Sequence, residues 1–197
     1  MADTHAQESS NAPTPRRMKL PQKFRESCER KGVSPREIKK FTEIVNSLYD
    51  ESARARALIA SEWLSEALEK LLRARFKATA TPGPKQDFLL KGHAPFASLF
   101  MRIEVCAAFG LISHDNAEQM HAVREVRNHC AHATTAAKPE DQEMSEKVRL
   151  LRGAHLDLES EPASMVVVLA TAKLVGAVYA TRKLLTQRPQ RKRQPKP

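Results

Sequence analysis

The sequence predicts an all-α fold, a single helical bundle of about five to seven helices. Three observations lead there. Aromatic residues make up only 5% of the 197 positions and there are just six glycines, while aliphatic residues, Ala and charged residues are plentiful. That balance favours helices over sheets. Apolar residues recur at steps of three and four over long stretches. Between those stretches stand Pro, Gly, Ser and Asp positions of the kind that stop and start helices. One domain is expected over 20–187. It is flanked by a polar segment at 1–19 and the Pro-interrupted basic run "RPQRKRQPKP" at 188–197, both expected to be disordered for want of apolar residues to bury.

Each element has its own signal. "QKFRESCER" is a short amphipathic piece closed by Gly32. "SPRE" then supplies Ser34 as N-cap, Pro35 at the first helical position and Glu37 as the capping-box partner. Ile38, Phe41, Val45 and Leu48 carry that helix's apolar stripe. From Ala53 to about Phe76, residues such as Leu64, Ala67, Leu68, Leu71 and Leu72 share one broad face. Pro82, Gly83 and Pro84 predict the longest loop of the folded part. Pro95 is expected to open the next helix, with Leu99, Ile103, Cys106 and Ala107 aligned and Gly110 as a left-handed cap. Ser113 or Asp115 caps the one after it. A short helix is expected around 140–151, and Pro162 starts a last helix ending near Gln187.

The net charge of +10 suggests a polyanionic partner, but it is unevenly placed. Residues 1–33 hold seven Lys/Arg against four acids, and 188–197 hold Arg188, Arg191, Lys192, Arg193 and Lys196 against none. Residues 34–187 therefore carry only +2. Three cysteines without CxxC spacing and a polar, h-region-free start predict a reducing, cytoplasmic setting. The apolar run at 163–180 has Lys173 at its centre, which predicts a helix buried in a bundle and no membrane span.

The chemistry-bearing segment is "VREVRNHCAH", 123–132. On a helix, Val123, Val126, Cys130 and Ala133 fall on one side, Arg124, Asn128 and His132 on the other, with Arg127 on the flank. A guanidinium that grips phosphate beside an imidazole that exchanges protons is what RNA cleavage by its own 2′-hydroxyl requires. The same letters also describe a solvated face with local ion pairs and a histidine near the helix end. No metal site is expected: Cys130 points to the stripe, away from His129 and His132, and no second ligand pair matches in spacing. No cofactor is expected either. Gly-rich phosphate loops are absent, which excludes NTPase and dinucleotide chemistry of those types; a Ser or Cys nucleophile finds little support, since there is no GxSxG elbow and Cys28, Cys106 and Cys130 lie on or near apolar stripes as structural thiols. Upstream, Cys28, Gly32, Val33, Ile38 and Phe41 follow the apolar rhythm of a helix-turn-helix, which an ordinary capped hairpin shares.

The run "PFASLFMRIEVCAAFGLISHDNAEQMHAVREVRNHCAH" (95–132), with "ALIASEWLSEALEKLLRARF" before it, resembles the mannitol repressor family over roughly 53–135. Arg102, Gly110, Leu111, Ile112, Arg124, Arg127, Asn128, Ala131 and His132 carry the likeness. It implies an all-helical regulator of transcription that acts through protein partners, since the family lacks an obvious DNA-reading domain; the expectation for this chain is a regulator that performs no chemistry and binds a protein or nucleic-acid partner. Arg102, Arg124, Arg127 and His132 would be its binding residues. "RNHCAH" is also similar to the Arg-x4-6-His motif of the HEPN superfamily. That likeness implies the alternative, a metal-independent endoribonuclease, usually dimeric. Arg127 would hold phosphate, Asn128 would position and His132 would act as base.

Overall fold

The computed structural model describes residues 20, 22–30, 32–78, 83–132, 137–153 and 158–187. The two tails, with the five cations of 188–197, and Ala133 lie outside the described residues. Among those described, the fold is all helical. The helices are α1 (Gln22–Arg30), α2 (Pro35–Ser47), α3 (Ala53–Ala78), α4 (Gly83–Leu90), α5 (Leu99–Ala108), α6 (His114–His132), α7 (Ser145–Arg152, entered through a 3₁₀ turn at Gln142–Met144) and α8 (Ala163–Gln187).

α8 is the axis of the bundle. It packs most extensively on α3, and α1, α2, α6 and α7 also lie against it. It is long and apolar enough to cross a membrane, yet 78% of its most apolar window is buried in the bundle. A helix apolar on all sides is what a surrounded central helix requires. At its middle, a Cβ on Gly176 would stand 3.1 Å from Cys28 Sγ and 3.8 Å from Phe41 Cε2, so the missing side chain lets α1 and α2 sit close. Phe41 meets Trp63 of α3 and Tyr179 of α8 edge-on, with ring centres 5.4 and 5.6 Å apart.

Local signals worked where they depended on neighbours in sequence. Ser34 Oγ accepts from Glu37 N, and the Ser34 backbone N–H donates to Glu37 Oε2, completing the capping box. Gly110 has φ +63° and closes α5 as a left-handed cap, with Leu111 N bonded to Cys106 O. Ser113, rather than Asp115, caps α6 by accepting from Asn116 N.

Two boundaries differ. The expected Pro82–Pro84 loop gives way to α4 at Gly83, because a proline inside the first turn forfeits only an N–H that has no helical partner. α5 begins at Leu99 under a Ser98 N-cap, so Pro95 lies in the preceding turn instead of opening the helix.

Candidate functional site

α6 carries the segment. Val123, Val126 and Cys130 are buried and fix its rotation, which turns Arg124, Arg127, Asn128 and His132 away from the core. Arg54 of α3 donates to Ala131 O and so places a cation on the helix's last turn, where carbonyls lack helical partners. His132 is exposed, while Arg127 and Asn128 are half-buried.

These groups do not converge on one spot. Asn128 and His132 line a groove of about 710 Å³ together with His129, Asp141, Gln142 and Glu143. Arg127 is not among the lining residues; its Nη1 donates to Asn128 Oδ1 at 3.1 Å. Arg124 faces a different groove, of about 460 Å³, between α5, α6 and α7. Its guanidinium carbon stands 5.4 Å from the centre of the Phe100 ring, and Nη2 lies 3.5 Å from Glu125. Lys147 Nζ reaches Glu125 at 2.8 Å, and that hydrogen bond raises the lysine's pKa. His121 Nε2 pairs with Glu104 at 2.8 Å beside the same ring. Phe100 and Leu150 are the exposed apolar members of this second groove.

Arg102 takes an interior role that the sequence expectation of a binding residue does not describe. It is 7% exposed, and its guanidinium is spent on the bundle itself. Nε donates to Phe96 O, Nη1 to Ser65 O and Ser65 Oγ, and Nη2 to Glu69 Oε2 and Leu90 O, at 2.7–3.1 Å. One planar fork thus ties α3, the end of α4 and the loop before α5.

The residue that sequence reasoning passed over is Asp141. His129 Nε2 lies 2.8 Å from Asp141 Oδ2, and the same oxygen accepts from Lys138 N at 2.9 Å. The His129 hydrogen bond, and then the Lys138 one, hold the Asp141 carboxyl below its ordinary range. Glu143 approaches the other ring nitrogen at 3.6 Å. The only sequence signal for this latch was the acidic run "PEDQE" ahead of α7. Glu140, in the same run, accepts from Ser164 N at the start of α8.

Among the described residues, no cluster of three His, Cys, Asp or Glu side chains is placed to hold a metal. The thiols are buried. Desolvation pushes Cys106 up to about 12 and raises Cys130, so neither forms a nucleophilic thiolate near neutrality. No protein-family model, curated protein or solved structure matches the chain.

Proposed function

We propose that this protein is a non-enzymatic regulatory module of the mannitol repressor type, acting in transcription by holding a macromolecular partner in the cytoplasm. The family part of the reading rests on the sequence resemblance, and the observation that favours binding over cleavage is the charge of the groove at His132. Its facing wall presents Asp141 and Glu143, while Arg127, the cation that a cleavage site would aim at phosphate, is bonded to Asn128 outside the lining. Two carboxylates oppose the entry of a phosphodiester and would destabilise the charge that builds on it during cleavage. A second copy placed symmetrically across the groove would bring two more. His129 serves as a latch for the segment before α7.

The partner surface fits the Arg124 groove better. A guanidinium stacked on a half-exposed aromatic ring, with an exposed leucine beside it, matches the residue types that dominate protein interfaces.

The experiment is incubation of single-stranded RNA with the purified chain in EDTA. The expected result is no cleavage above the protein-free control, and no difference between wild type and His132→Ala. Cleavage that leaves 2′,3′-cyclic phosphate ends and disappears in a folded His132→Ala variant would establish the endoribonuclease alternative instead.

A further inference from the structure

We infer that the Arg124 groove receives a short segment of a protein partner in which an acidic residue adjoins large apolar ones. The partner's carboxylate meets the Arg124 guanidinium, and its apolar side chains cover Phe100 and Leu150. This rests on the reading of that groove as the partner surface and names the chemistry that fills it.

The other inward-reaching arginines spend their donors inside the bundle. Arg56 donates to Leu48 O, Tyr49 O and Ser164 Oγ, and Arg152 to Glu159 O and Glu161 O. Arg102 fills its fork with five acceptors. Arg124 differs. Its side chain is only 25% exposed, yet its guanidinium donates no hydrogen bond among the described residues, and Nε is closed off from solvent without an acceptor. The Phe100 ring, 5.4 Å from the guanidinium carbon, holds it by its face and leaves its in-plane donors unused. Unused donors in a partly desolvated place are costly, and a carboxylate matches the fork in geometry and charge.

The neighbouring charges leave room for one more anion. Lys147 Nζ takes Glu125 Oε2 at 2.8 Å, while Glu125 Oε1 lies 3.5 Å from Arg124 Nη2, so two cations share one carboxylate. Glu104 is taken by His121 at 2.8 Å, and Glu118 stands 3.4 Å from His114. A second carboxylate against Arg124 completes the alternation of signs.

The groove's apolar members explain why the anion belongs to a peptide. Phe100 on α5 and Leu150 on α7 are both exposed, and Leu150 lies three residues after Lys147, on the same side of α7. A phosphate backbone offers nothing apolar to cover them. Its successive charges would also meet Glu104, Glu118 and Glu125 around the one guanidinium.

The test is a ¹H–¹⁵N titration of the full chain with the blocked peptide acetyl-Ser-Leu-Phe-Asp-Leu-Ser-amide. Saturable shifts should appear at the amides of Phe100, Lys147 and Leu150 and at Arg124 Nε. The same peptide with asparagine for aspartate should bind about tenfold more weakly or worse, and so should the acidic peptide to Arg124→Gln, as loss of a charge-assisted contact requires. Leu150→Ser should weaken binding about fivefold. Because Arg124 gives the bundle no hydrogen bond, Arg124→Gln should leave the thermal midpoint within about 2 °C. The inference is overturned if the two peptides bind equally, if neither binds, if the shifts lie elsewhere, or if Arg124→Gln binds as wild type. A large fall in the Arg124→Gln midpoint, or the same shifts with single-stranded RNA, would also overturn it. RNA cleavage at His132 would defeat the non-enzymatic reading without touching this result, and failure of the peptide would leave the RNA result standing.

Discussion

Replacement of Arg102 by methionine should lower the thermal unfolding midpoint by roughly 10 °C, the largest loss expected from any polar side chain in the bundle. Methionine fills much of the volume, so the loss is electrostatic. It strips donors from Phe96 O, Ser65 O and Leu90 O and leaves Glu69 with Arg73 alone at 2.8 Å. Removing one partner of a buried ion pair costs about 3–5 kcal/mol. At 2–4 °C per kcal/mol for a domain of this size, the shift follows. Arg102→Lys should recover less than half of it, because one ammonium cannot span five acceptors fixed in a plane. Circular dichroism at 222 nm reads both variants. A lysine variant as stable as wild type would show that charge alone, without the fork, holds α3 to α5.

Phe41→Ala should cost about 3–5 kcal/mol, as expected for an aromatic side chain deleted from a core. Phe41 is 1% exposed and touches both long helices, edge-on to Trp63 of α3 and to Tyr179 of α8. Ile38 and Val45 are buried on the same stripe, and side chains held in a close-packed core collapse only partly into a cavity. Phe41→Leu keeps most of the buried area but gives up the two ring contacts, so it should cost about 1–2 kcal/mol. Hydrogen exchange localises the effect: α2 amides should lose protection first, while those of α3 and α8 stay slow. Uniform loss across all three helices would mean that α2 does not open separately.

The helices were readable in the sequence wherever the signal was local. The Ser34–Glu37 box, Gly110 as a cap and the stripe of Ile38, Phe41 and Val45 each depend on residues within a few positions of one another. α4 was hidden because "PGP" serves a loop and a helix's first turn equally well. The site was harder to read, for a physical reason. Arg102 lies among apolar neighbours on α5, and its acceptors come from positions 65, 69, 90 and 96, so only the closed bundle shows that the charge faces inward. The role of His129 likewise depends on Asp141, twelve residues on, after the chain has left α6. Helical period could separate Val126 and Cys130 from Arg127 and Asn128. It could not show that the groove's far wall is acidic.

Backbone and imidazole ¹H–¹⁵N spectra, recorded while the full chain is titrated with a short single-stranded RNA, test whether the groove at His132 takes phosphate. The resonances of Asn128, His129 and His132 should stay in place. Movement at those three that saturates with RNA would contradict the account.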